Sequence, residues 1–236
     1  MSLRQLALVT GAAHRLGKIF ALTLARAGYD ILLHYHSAEN EALKTQSEIE
    51  SIGGRVILSQ ADLIDPAQIS SLVSEVESLS VLVNSAAFMP RGNTESLSIE
   101  NWDASLDLNL RAPFLLAQEC AKKMTEGGLI VNITDVGAQK AWSRYPSYTV
   151  SKAALESLTK ILARALAPKI RVNAIAPGFV LQSDIVSVEE WERLINRVPL
   201  QRPAHNEEIA SALEFLLKNE YVTGQTIVVD GGYSLL

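Results

Sequence analysis

Seven short apolar runs separated by six stretches of helical period constrain this chain more than any other feature of its sequence. Leu6–Thr10, Asp30–Tyr35, Val56–Ser59, Val81–Asn84, Leu129–Thr134, Arg171–Ile175 and Thr226–Val229 read as strands, with helices expected over 15–27, 38–52, 66–79, 100–124, 146–167 and 205–218. A strand with one wet face alternates apolar and polar residues, whereas these runs are almost continuously apolar and require cover on both faces. Strand-helix alternation carried through the whole chain predicts right-handed βαβ crossovers and a parallel, doubly wound seven-stranded α/β sheet with helices on both faces. No repeat, low-complexity run or Pro/Gly-rich linker divides the chain, so residues 1–236 are expected to form one domain. The least regular stretch, 178–204, is the natural place for a short substrate lid.

A chain of 236 residues in one domain buries roughly three quarters of its unfolded surface, enough to fold without a disulfide or a metal. The net charge of −5 argues against nucleic acid or an anionic membrane as the main partner, though it leaves room for a local phosphate pocket. The single cysteine, Cys120, forbids an internal disulfide and fits a reducing compartment; within the apolar stretch Phe114–Cys120 it reads as a small core residue. No signal-peptide layout is present, and no run approaches the roughly 18 apolar residues of a membrane span. The expectation is a cytoplasmic protein acting on a small molecule, and no His/Cys/Asp cluster has metal-ligand spacing.

In doubly wound sheets of the Rossmann type, ligands bind beyond the carboxyl ends of the strands. The first strand here runs into Thr10-Gly11-Ala12-Ala13-His14-Arg15-Leu16-Gly17 and then a helix. Gly11 permits a tight turn, Gly17 permits close helix-strand packing, and the helix N-terminus offers free N–H groups to a pyrophosphate. An ordinary strand-helix turn has the same outline; the position on the first strand of a repeated βαβ pattern favours the dinucleotide. The second strand ends Tyr35-His36-Ser37 with no carboxylate before Glu39, so a ribose 2′-phosphate meets no repulsion, and Ser37, His36 and Arg15 can donate to it. NADP(H) is thereby favoured over NAD, although His34 and His36 could equally pack or face solvent. Asp62 and Leu63 follow the third strand, and Asn84 through Ala86 follow the fourth, where small residues let the backbone approach the adenosine or ribose. Asp62 could instead cap the next helix.

Tyr148 and Lys152, four residues apart after Pro146, lie one turn apart on one helical face. An ammonium beside a phenol favours the phenolate, which suits a general acid/base working on a carbonyl or imine. With these residues on the page, the whole chain resembles the short-chain dehydrogenase/reductase family. Further matches are Asn109 in Leu108-Asn109-Leu110, the run from Asn173 to Pro177-Gly178, Thr223-Gly224-Gln225 and Val229-Asp230-Gly231-Gly232. The resemblance implies that Tyr148 transfers the proton, that Lys152 binds the nicotinamide ribose and lowers the tyrosine pKa, and that Asn109 holds a relay water. It also implies a homotetramer with the helices at 100–124 and 146–167 at an interface.

Two departures narrow the resemblance. Arg15 replaces the middle glycine of the family turn, and Asp135 stands thirteen residues before the tyrosine where the family carries serine. Both changes occur together in pteridine reductases and dihydromonapterin reductases, whose His-Tyr-His second strand is also similar. A carboxyl can bond ring N–H groups of a pterin or pass a proton to a ring nitrogen with Tyr148, and Arg15 can stack on a polar bicyclic ring. The expectation is NADPH-dependent hydride transfer to a pterin-type C=N bond. A ketoreductase in which Thr134 substitutes for the serine is the alternative, and a non-catalytic NADP sensor on the same fold is the third reading. Phe88 or Met89 is expected to sandwich the substrate, Phe179, Val180, Trp142 and Trp191 to wall the pocket, and Gln182 or Ser183 to replace a threonine usual after Pro177-Gly178.

Overall fold

The structure, a computed structural model, describes residues 5–74, 76–140, 142–183 and 186–236. Residue 75 of the expected helix 66–79 and residues 184 and 185 of the expected lid lie outside the described residues. The strands are β1 (Leu6–Val9), β2 (Asp30–Tyr35), β3 (Val56–Gln60), β4 (Leu79–Asn84), β5 (Met124–Ile133), β6 (Ile170–Pro177) and β7 (Thr226–Val229). They form one seven-stranded sheet in the order β3-β2-β1-β4-β5-β6-β7. Every pairing is parallel.

Alternate residues of the inner strands enter two separate cores, while the edge strands β3 and β7 each leave one face exposed, with Ile57 and Val228 on it. Val9, Leu33, Val83 and Val131 point to the side covered by α1 (Arg15–Arg26), α2 (Glu39–Ser51) and α8 (Asn206–Lys218). Leu8, Leu32, Leu82 and Ile130 point to the side covered by α3 (Pro66–Ser74), α5 (Ala112–Lys123) and α6 (Pro146–Leu166). Two covered faces are the physical reason the strand sequences are continuously apolar. Cys120 belongs to the second core, where burial pushes its thiol up to about 12 and leaves it a packing residue.

Two expectations are corrected. The helix expected over 100–124 is three pieces: α4 (Ile99–Leu106), a π-helical turn (Asp107–Arg111) and α5. The N–H of Ala112 donates to the carbonyl of Asp107, five residues back, and this wider ring shifts the register of the helix at Asn109. The stretch 178–204 is also less irregular than expected, since it holds α7 (Val188–Ile195), started by Ser187 accepting from the N–H of Glu190 and by Glu189 and Glu190 in its first turn. Its apolar residues Val188, Trp191, Leu194 and Ile195 are spaced as one helical face, so the periodicity was present but confined to eight residues. Strand β5 begins at Met124, five residues ahead of the expected Leu129, because Gly127 at φ 85° lets a polar stretch stay in the sheet. Among the described residues no helix is long and apolar enough to cross a membrane.

Candidate active site

The strand order reverses between β1 and β4, and the crevice there holds the glycine turn. Gly11 has φ +63°, and a Cβ on it would lie 2.9 Å from the Cα of Ala86. A Cβ on Gly17 would lie 2.1 Å from the carbonyl oxygen of Gly11, so the turn closes on α1 only with glycine there. Thr10 completes the junction: its hydroxyl oxygen accepts from the N–H groups of Ser85 and Ala86 at 3.0 and 3.1 Å. His14 and Arg15 are exposed at the start of α1, whose His14 cap supplies no side-chain bond to the first amides; Leu16 packs partly against the core. A cradle that any side chain would fill, beside a helix N-terminus, fits a pyrophosphate. At the end of β2, Tyr35 is buried while His36 and Ser37 are exposed, with no acidic side chain on the strand end. Leu63 is buried, and Asp62 forms a local turn by accepting from the N–H of Ile64 at 2.9 Å.

Sequence reasoning left two residues of this end open. Asn84 is buried, and its amide donates to Asn132 Oδ1 at 2.8 Å across the sheet, so its side chain braces β4 against β5. His34 is buried rather than solvent-facing, and its ring accepts from the N–H of Gly11 at 3.1 Å. Nothing in its sequence position separated those outcomes.

The acid/base group lies two strands away, where β5 ends. Tyr148 on α6 donates from its hydroxyl to Asp135 Oδ2 at 2.8 Å, and the N–H of Gly137 donates to Asp135 Oδ1 at 2.7 Å. Lys152, one turn further along α6, donates to the carbonyl of Ile133 at 2.7 Å and lies 5.6 Å from the centre of the Tyr148 ring. Burial pushes the Asp135 carboxyl up, opposed by the Gly137 N–H, the Tyr148 hydroxyl and the Lys152 ammonium. Burial also brings the Lys152 ammonium down to about 8, against the pull of Asp135. The tyrosine departs from expectation: burial and the adjoining Asp135 carboxylate hold its pKa well above the ordinary 10. A carboxylate at hydrogen-bond distance outweighs the more distant ammonium, so Tyr148 keeps its proton and stands ready to give it.

Asn109 lies at the π-helical turn beside this group. Its side chain is fully committed: Oδ1 accepts from the N–H of Phe88 at 2.8 Å, and Nδ2 donates to the Phe88 carbonyl at 2.8 Å and the Ser151 hydroxyl at 3.0 Å. Ser151 in turn donates to the Tyr148 carbonyl at 2.7 Å. Asn109 thus clamps the loop after β4 to α6. Thr134 donates to the Ile175 carbonyl at 3.2 Å within the sheet, away from Tyr148.

The substrate side is walled by aromatic rings in edge contact. Phe179 meets Tyr233 with centroids 4.9 Å apart and Trp191 of α7 at 5.7 Å. Trp142 packs with Val136, Val198 and Phe179, and Val180 is buried in the core below. Tyr233 was not foreseen; it is held by Lys140, whose ammonium donates to the Tyr233 carbonyl at 3.1 Å and sits over its ring. Phe88 and Met89 are each about one third exposed, 37% and 36%. Gln182 turns its amide to the Val186 carbonyl at 2.9 Å. Arg15, at φ +53°, reaches across the mouth and donates to the carbonyls of Leu181 and Gln182 at 3.0 and 3.1 Å. The N–H of Gly178, after Pro177, donates to Val229, fixing the end of β6 against β7. Among the described residues no group of His, Cys, Asp or Glu has the arrangement of a metal site.

A glycine cradle at the switch point with a tyrosine, lysine and carboxylate converging beside it defines an oxidoreductase that works with a dinucleotide. The sequence model of the family described as enoyl-(acyl carrier protein) reductase matches residues 11–234. Over 99% of this chain and 88% of the relative, the sequence is 36% identical to 1-cyclohexenylcarbonyl-CoA reductase of Streptomyces collinus. It is 34% identical to the 3-oxoacyl-(acyl-carrier-protein) reductase FabG of Staphylococcus aureus over 98% of this chain and 99% of that one. The crystal structure of FolM alternative dihydrofolate reductase 1 from Brucella suis in complex with NADP superposes with a TM-score of 0.93 at 35% identity, covering 100% of this chain and 97% of that one. The chain belongs to the short-chain dehydrogenase/reductase family.

Proposed function

We propose that the protein is an NADPH-dependent reductase of a pterin-type C=N bond, a dihydropterin or dihydrofolate-like substrate. The observation that carries this reading is the pair Tyr148–Asp135, an acid and a carboxyl sharing one proton at 2.8 Å where a carbonyl reductase needs only hydroxyls. NADPH supplies the hydride when bound. The residues present fit it: the Gly11–Gly17 cradle would take the pyrophosphate, and His36 and Ser37 would meet the 2′-phosphate without an opposing acid, joined by Arg15 once it leaves the carbonyls of Leu181 and Gln182. Asp62, Leu63 and the backbone at Ala86 would border the adenosine end, Lys152 would hold the nicotinamide ribose, and Pro177 and Gly178 would border the nicotinamide.

At the substrate, the C=N carbon gains the hydride and its nitrogen gains a proton. Tyr148 gives that proton and regains one from solvent, while the Asp135 carboxyl, raised in pKa by burial, either relays the replacement proton or bonds the ring N–H groups. Phe179 and the Phe88-Met89 segment present flat or flexible apolar surface to a bicyclic ring. The similarity to FolM, a protein named as a dihydrofolate reductase, supports the same reading. The second reading, reduction of a 3-oxoacyl thioester, is favoured by the names of the Streptomyces and Staphylococcus relatives. Against it stands Thr134, whose hydroxyl is turned into the sheet and does not replace the missing serine.

Assembly as a homotetramer in the cytoplasm is part of the proposal; exposed Phe114 on α5 and Val150 and Ile161 on α6 support contact with further copies. The deciding experiment is NADPH consumption by the purified protein with 7,8-dihydrobiopterin, an acetoacetyl thioester and NADH controls. Turnover of the pterin is expected. Turnover of the thioester alone would return the protein to the ketoreductases.

A further inference from the structure

His34 stands near the carboxyl end of β2, between β1 and the edge strand β3, 2% exposed and with both ring nitrogens engaged. Nδ1 accepts from the N–H of Gly11 at 3.1 Å. A nitrogen that accepts carries no proton, so the hydrogen is on Nε2, which donates to the Ala61 carbonyl at 3.0 Å. The His34 carbonyl also accepts from the N–H of Ala12 at 2.9 Å. One residue therefore ties three chain segments together. They are the glycine turn after β1, the strand end leading to Tyr35-His36-Ser37, and the Ala61-Asp62-Leu63 segment after β3. Those are the segments assigned above to the pyrophosphate, the 2′-phosphate and the adenosine end.

We infer that His34 is a positioning residue for cofactor affinity: its imidazole, through the Gly11 N–H, holds the phosphate turn in register with the strand end that meets the 2′-phosphate. Gly11 lies in the left-handed region at φ +63° and packs against Ala86, so its N–H direction sets the path of the whole turn. With no acceptor at Nδ1, that N–H turns to find another, and the turn's remaining amides turn with it. His34 touches neither Tyr148 nor Asp135, so the chemical step is untouched. The inference rests on the NADPH reading.

Two near-isosteric variants separate the bonds. In His34→Asn the amide oxygen falls where Nδ1 was and keeps the Gly11 bond while the Ala61 bond is lost. In His34→Gln the terminal amide falls where Nε2 was and keeps the Ala61 bond while Gly11 loses its acceptor. Dissociation constants for NADPH and for 2′,5′-ADP are measured by fluorescence titration, with thermal midpoints and kcat at saturating NADPH. His34→Asn is expected within about threefold of the parent, and His34→Gln about tenfold weaker for both ligands, the size of one lost hydrogen bond, with kcat unchanged. Equal losses in both variants that follow their thermal midpoints would overturn the inference and make His34 a packing residue. Weakening in Asn but not in Gln would overturn it as well. A parent protein that binds neither NADPH nor 2′,5′-ADP would overturn the cofactor reading itself, a result distinct from unequal variants of a binding parent.

Discussion

At the scale of single residues, exchanging a hydroxyl for the carboxyl of Asp135 resets every ionisable neighbour. Tyr148 is pushed up, and the fall of the Lys152 ammonium through burial is partly offset. Replacing Asp135 with serine removes the group that shares the tyrosine proton, and pterin turnover is expected to fall by about a hundredfold or more, the usual weight of one acid/base group. Steady-state kinetics at saturating NADPH checks it, and full retention would exclude the role. The pH profile carries a second signature. Lys152 is charged below about 8 and neutral above it, so activity that needs the ammonium falls as pH rises through that value. Because the Asp135 carboxylate supports that charge, the alkaline limb of Asp135→Ser is expected at lower pH than in the parent.

Single elements carry two consequences. On β2, the His34 imidazole titrates at about 4 when folded against 6.5 when free, since burial disfavours its charge while the Ala61 bond and Asp62 oppose that and His36 adds to it. A folded value below the unfolded one means that the unfolded chain binds the extra proton first. Stability is therefore fully present above pH 6.5 and is lost between 6.5 and about 4, by on the order of 3 kcal/mol. Urea denaturation across that window is expected to show this loss in the parent and a flatter response in His34→Asn. In the π-helical turn, Asn109→Ala leaves the Phe88 N–H and carbonyl without their side-chain partner and removes one of the two bonds of the buried Ser151 hydroxyl. A loss of about 2–4 kcal/mol is expected by the same denaturation method, with a raised substrate KM because the Phe88 loop is no longer clamped to α6.

For the whole molecule, the two-sided sheet was legible because its chemistry is repetitive: each inner strand had to be apolar twice over, once per face. The glycine turn and the Tyr148–Lys152 pair were legible for a related reason, since a backbone crossing and a one-turn spacing each admit few residue types. The committed Asn109 side chain and the buried His34 were not legible, because both depend on partners 21 and 23 positions away in the chain. The proton-holding state of Tyr148 was hidden too: the lysine is announced by spacing along α6, while the closer carboxyl acts from the turn after β5. The apolar residues left outside both cores also belong to this scale. Ile161, 64% exposed on α6, is the strongest test of assembly. If the proposed tetramer forms through α6, Ile161→Glu is expected to convert it to smaller species in size-exclusion chromatography with light scattering, without loss of folded protein.

The guanidinium of Arg15, seated on the carbonyls of Leu181 and Gln182, makes the entrance a matter of succession rather than simple docking. Any anion that recruits this arginine must take it from two backbone acceptors, so its observed affinity reflects an exchange of partners and understates the new contact. In the proposed function, a 2′-phosphate that recruits Arg15 would free these two carbonyls of the chain after β6. Product-inhibition patterns are then expected to show the dinucleotide entering first and leaving last.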